Sequence, residues 1–231
     1  MAPVLALVGV LLLAGFVFWL VAFSSLLSTR SVAVVGLTRE SGLSAGEVRA
    51  AAAVPLGRPL ARVDVSAVGR RVARLPAVEG VTVSRSWPHE IRIEVDCREP
   101  VALWRDGSVL RVVDAEGVAF RTADGLRGNF PTIELHSKQK DPQRLAELRA
   151  TGAQIAAALP ARLRRQVDVM RVRTVDSVEL ELDPQAFGRD VTVVWGSAKD
   201  SAAKARVLTV LLKRPASVYD VSVPSFPTTK A

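Results

Sequence analysis

The hydrophobic pattern opens with an unbroken run, Val4 to Leu27, that holds no charged side chain. A helix rises 1.5 Å per residue, so this run reaches roughly 36 Å, enough to cross ~30 Å of hydrocarbon with some tilt. Phe16, Phe18, Trp19 and Phe23 crowd its second half, where an interfacial aromatic belt would sit. A cleaved signal peptide has a charged leading region and a shorter apolar core. The run is therefore read as an uncleaved anchor over residues 4–27, behind a cytoplasmic stub at 1–3. After it the period changes. Val32 to Val35 is a short strand ended by Gly36. Ser44-Ala45-Gly46-Glu47 is a capping box that opens a helix to about Ala53. Pro55 to Pro59 is a turn-rich connector. Val65, Val68, Val72 and Leu75 then share one helical face. From Val81 the period falls to two. Ile91, Ile93 and Val95 share one face and Arg92, Glu94 and Asp96 the other, with Ser86-Trp87-Pro88-His89-Glu90 connecting two strands of a hairpin. The order is β-α-α-β-β, with a boundary at Pro100.

Beyond Pro100 the pattern is richer in strands. Val101 to Trp104 and Val109 to Val113 flank Asp106-Gly107, and Val118 to Phe120 follows a turn whose Gly117 suits a left-handed position. Asp141-Pro142 starts a helix with Asp as N-cap and Pro as N1, and Leu145, Leu148, Gly152, Ile155 and Leu159 keep one face. Val169 to Val175, Val178 to Leu182 and Val191 to Trp195 read as strands. A helix from about Asp200 to Lys213 turns Ala205, Leu208, Leu211 and Leu212 inward. Val218 to Val223 is the last strand, with Tyr219, Val221 and Val223 on one side. The fold class is α+β: a transmembrane helix, a small domain over 28–99, and a strand-rich domain with two covering helices over 100–231.

Composition narrows the chemistry. The net charge is +8, carried mostly by arginine, and suits anionic lipid, acidic surface polymers or nucleic acid. No nucleic-acid motif is present and the arginines are not interleaved with aromatics. Cys97 is the sole cysteine, so no intrachain disulfide forms. It continues the parity of Ile91, Ile93 and Val95 along the hairpin and reads as a buried inert thiol. His89 and His136 are the only histidines, and without a second cysteine a His/Cys zinc site is implausible. No G-x-S-x-G, P-loop or G-x-G-x-x-G is present. Asp114 and Glu116 read as turn residues, and Glu179 and Glu181 as sharing a strand face that meets solvent. The expectation is no catalytic residue, no cofactor and no metal.

One anchor, a β-α-α-β-β module and a larger strand-rich domain together resemble the FtsQ/DivIB family of bacterial cell-division proteins, whose small module is a POTRA domain. The resemblance is carried by Val32-Ala33-Val34-Val35-Gly36-Leu37, Ser44-x-x-Glu47-Val48, Leu75-Pro76-x-Val78, Ser86-Trp87-Pro88 and Ile91-Arg92-Ile93-Glu94-Val95-x-x-Arg98-Glu99-Pro100. Val113-Asp114-x-x-Gly117-Val118-Ala119-Phe120, Trp195-Gly196, the helix through Lys204 and Leu212, and Tyr219-Asp220-Val221 extend it to the C-terminal end. Two departures stand out: Cys97 replaces a commonly acidic residue, and the cytoplasmic tail is almost absent. The resemblance implies a non-enzymatic, single-pass scaffold of the cell membrane, enriched at the division septum. Its extracytoplasmic part would bind the coiled-coil proteins FtsB (or DivIC) and FtsL and link them to septal peptidoglycan synthesis. It also implies N-terminus in and C-terminus out, against Arg30 and Arg39, which by charge alone favour the opposite orientation.

The resemblance places partner docking on the last strand. No further strand is expected after it, so at a sheet edge its outer amides and carbonyls would offer a template for another chain. The expected contacts are Tyr219, Val221, Ser222, Val223, Pro224, Ser225 and Phe226. Two other classes stay open from the residues alone: a membrane-tethered enzyme acting on cell-wall polymer, and a POTRA-bearing translocation component.

Overall fold

The computed structural model describes residues 9–12, 15, 27–126, 128–136 and 141–230. The chain divides into two compact units, Met1–Arg98 and Glu99–Ala231. Most of the expected anchor, residues 4–27, lies outside the described residues. Among those described, no helix is long and apolar enough to cross a membrane.

The first unit has the order that the periods predict. Strand β1 (Ser31–Val35) leads to helix α1 (Ala45–Ala52), helix α2 (Val65–Val72), and the hairpin β2 (Val78–Ser86) and β3 (Glu90–Cys97). The sheet order is β1-β3-β2, with β1 parallel and β2 antiparallel to the central β3. Alternation along β3 sends Ile91, Ile93 and Val95 into the core and leaves Arg92, Glu94 and Asp96 exposed. Val48 and Ala52 of α1 and Val68 and Val72 of α2 complete that core. Burying each such Ile or Val side chain contributes about 1.5–3 kcal/mol. The two helices are also joined through polar groups: the Arg71 guanidinium on α2 donates to the Ala52 carbonyl at the end of α1 (Nε···O 2.9 Å). A cation there meets the negative end of a helix.

Two local features differ from the sequence reading. The connector holds a 3-10 turn, Leu60–Arg62, because Leu60 is fully buried and draws the chain onto the core. Cys97 is half-buried rather than buried. It pairs with Val78 on the last rung of the hairpin, beside a register shift between Val78 and Gly80, where the regular ladder comes to its end.

Among the described residues, the second unit is built on one nine-stranded sheet. In chain order its elements are β4 (Ala102–Asp106), β5 (Val109–Val113), β6 (Ala119–Thr122), β7 (Thr132–Leu135), α3 (Pro142–Ala158), α4 (Ala161–Arg164), β8 (Val167–Thr174), β9 (Ser177–Leu182), α5 (Pro184–Phe187), β10 (Val191–Gly196), α6 (Ser201–Leu211), β11 (Val218–Asp220) and β12 (Thr228–Lys230). The spatial order is β12-β11-β10-β9-β8-β7-β4-β5-β6. Asp141 caps α3 by accepting from the Gln143 amide (3.0 Å), and Leu148, Gly152 and Ile155 of that helix are buried. Trp195, Met170, Ile133, Leu180 and Leu208 are among the fully buried side chains of the core.

The sequence pattern does not predict strand β7. It lies parallel to both β4 and β8 and joins the two halves of the sheet. At four residues it is too short to show a period. Glu179 and Glu181 are half-buried rather than solvent-facing, because Arg173 and Arg171 on β8 lie across the strand pair and form ion pairs with them. The largest difference is at the C-terminus. The last strand does not run from Val218 to Val223; it stops at Asp220, and a further strand, β12, follows and covers its edge.

Candidate functional site

The C-terminal end of the second unit begins with a buried polar support. Lys204 on α6 is almost wholly enclosed, and its ammonium donates to the carbonyls of Trp195 (3.0 Å) and Ser197 (2.9 Å). Burial lowers its pKa, with Asp200 acting in the opposite direction. The Trp195 indole N–H donates to Ser201 Oγ (3.1 Å), whose hydroxyl donates to Ala198 O (2.7 Å). These bonds fasten the end of β10 to the start of α6.

Strand β11 lies against this base, parallel to β10, with Tyr219 opposite Val193. The Tyr219 ring is fully buried. Its hydroxyl donates to Arg214 O (2.6 Å) and accepts from the Ala216 amide (3.0 Å), which closes the loop leaving α6. Val221 is also fully buried, and its amide donates to Val194 O (3.0 Å). The chain then turns. Asp220 Oδ1 accepts from both the amide (2.9 Å) and the hydroxyl (2.6 Å) of Ser222, an Asx-type turn that ends the strand. The Phe226 amide donates to Val223 O (3.0 Å). After Pro227 the chain returns antiparallel as β12, pairing Thr228 with Asp220 and Lys230 with Val218.

The seven expected contact residues therefore separate into two groups. Tyr219 and Val221 are core side chains. Ser222 and Pro224 are half-buried in the turn, whereas Val223, Ser225 and Phe226 are exposed, Phe226 to 80%. The edge position belongs to Thr228–Lys230, all three exposed. Sequence reasoning missed this strand, although two consecutive β-branched threonines after Pro227 carried a weak signal for it.

Each histidine has a polar neighbour for its ring. His89 Nδ1 donates to Ser28 O (3.2 Å), and His136 lies 3.5 Å from Glu134. Among the described residues no group of three or more metal-ligating side chains converges.

A family model described as "POTRA domain, FtsQ-type" matches residues 27–96, the span of the first unit's sheet and helices. The cell division protein FtsQ of Streptomyces bingchenggensis is 40% identical over 95% of this chain and 82% of its own length. This chain belongs to the FtsQ family. The FtsQ of Streptomyces venezuelae is 41% identical over 95% of the chain and 80% of that protein. The more distant FtsQ of Mycobacteroides abscessus is 32% identical over 90% of the chain and 63% of that protein. The likeness to FtsQ thus extends well past the POTRA unit into the nine-stranded sheet.

Proposed function

We propose that this chain is a non-enzymatic scaffold of the division machinery, anchored by residues 4–27 with its N-terminus in the cytoplasm and its domains over 28–99 and 100–231 outside. Its C-terminal sheet edge binds the FtsB (or DivIC) and FtsL-type proteins at the septum and couples them to peptidoglycan synthesis. The observation that carries the docking reading is the short exposed β12 at the end of the sheet, beside the exposed Val223 and Phe226. A partner strand laid along β12 would satisfy its outer backbone groups, and the apolar turn would supply side-chain contacts. Ser222, Val223, Pro224, Ser225 and Phe226 form the contacting turn. Tyr219 and Val221 act from inside the core by holding β11 in place.

The test is capture of the FtsB-type partner from membranes by the full chain and by its Phe226→Ala variant. An exposed aromatic anchor is worth about 1–2 kcal/mol on truncation, so the variant should bind roughly tenfold more weakly. Because Phe226 lies outside the core, the thermal melt should not move. Wild-type affinity in both Phe226→Ala and Val223→Asp would place docking elsewhere.

A further inference from the structure

At one pole of the POTRA unit, the first described residues after the apolar run are bound between two loops. The Thr29 amide donates to Arg58 O (2.8 Å), and the Gly57 amide donates back to Thr29 O (2.9 Å). Ser28 forms a bridge with Pro59. On the other side, the Arg30 amide donates to His89 O (2.8 Å) at the tip of the β2–β3 hairpin. The loop around Leu56 and the hairpin tip at Trp87-Pro88 therefore both flank the chain within a few residues of Leu27.

These loops expose apolar groups that the unit's core does not use. Leu56 is 62% exposed and Trp87 50%. Arg30 and Arg58 are exposed beside them. Arg85 is not available in the same way, since its guanidinium donates to Leu60 O (3.1 Å) and Val63 O (2.7 Å). Glu90, the acidic group at the tip, accepts from Ser31 Oγ (3.2 Å). The far end of the hairpin, around Glu79, is separated from the tip by the length of a strand, roughly 25 Å at ~3.3 Å per residue.

We infer that Leu56, Trp87, Arg30 and Arg58 form a foot that rests on an anionic bilayer, with the leucine and indole in the headgroup region and the guanidinium groups on lipid phosphates. The inference rests on the reading of residues 4–27 as an anchor. Only Ser28 then separates the end of the span from Thr29, and the two residue steps from Leu27 to Thr29 extend at most about 7 Å. The pole is held at the membrane surface by chain length alone. Tryptophan is favoured at that depth, where its ring is shielded and its N–H stays wet. Arginine matches phosphate oxygens with paired donors. The foot would fix the tilt of the POTRA unit on the membrane instead of leaving it to swing on a single bond.

The test uses the full chain in vesicles of phosphatidylglycerol and phosphatidylcholine, with or without acyl chains brominated near the headgroup. The fluorescence difference between wild type and Trp87→Phe isolates Trp87 from the other three tryptophans. Bromination should lower that difference roughly twofold or more if the indole lies at the interface. Arg30→Glu with Arg58→Glu should restore it. Flotation of the vesicles checks the anchor separately. A chain that does not float overturns the anchor and the foot together. A chain that floats while Trp87 is unquenched overturns the foot alone. Quenching that survives the double arginine variant overturns the phosphate contacts.

Discussion

Ser44 and Glu47 close the first turn of α1 on each other. The Glu47 amide donates to Ser44 Oγ (3.2 Å), and the Glu47 carboxylate accepts from the Ser44 amide (2.8 Å) and hydroxyl (2.6 Å). The Ser44 hydroxyl, then its amide, hold the Glu47 carboxyl below the usual carboxylate range. A depressed carboxylate pKa contributes stability that is present above the unfolded value and lost as pH falls through the folded one. Wild type should therefore exceed Glu47→Gln in stability above about pH 5 and lose that advantage in more acidic solution. Urea melts of both proteins at about pH 7 and about pH 3 give the comparison. An unchanged difference between the two would remove the capping carboxylate from the account. This box was legible in the sequence because both partners lie within four residues. The burial of Lys204 was not. Its acceptors are carbonyls at the end of β10 and just beyond it, and only the packed structure brings them into range.

The turn between β5 and β6 shows how elements constrain each other. Gly117 has φ +79°, and a Cβ placed there would lie 2.6 Å from Ala150 Cα on α3. The Arg149 guanidinium, also on α3, donates to Gly117 O (2.5 Å) and stacks 4.5 Å from the Trp104 ring centroid. The sequence predicts the left-handed glycine; the helix packed upon it came only with the fold. Gly117→Ala combines a strained φ, about 1 kcal/mol, with a backbone clash. The second unit should lose about 2–4 kcal/mol of stability, within the range of overpacked sites. A thermal melt within about 1 °C of wild type would show that α3 can move away. Strands were legible where alternation was long, as in β3 and β9. Of the short strands, β6 and β11 were legible as apolar stretches, whereas β7 and β12, with four and three residues, were missed.

The two units have separate cores. Ile91, Ile93 and Val95 belong to one, and Ile133, Met170, Trp195 and Tyr219 to the other. Ile93→Asp places an unpaired charge in the first core, which costs several kcal/mol and is on the order of the stability of a small domain. That unit should unfold while the second keeps its structure, visible as a retained near-ultraviolet signal from buried Trp195. Simultaneous loss of both would show that the cores are coupled. Local sequence was enough for the β-α-α-β-β order, both long helices of the second unit, the caps at Ser44 and Asp141, and the inward face of β3. Those depend on neighbours a few residues apart, whose periods and hydrogen bonds are local. Other features exist only through long-range pairing: the sheet order that places β7 between β4 and β8, the enclosure of Lys204 and Tyr219, and the passage of the free edge from β11 to β12. Each of these depends on which distant strand supplies the partner, and a backbone hydrogen bond carries no residue-specific label by which the chain alone could announce it.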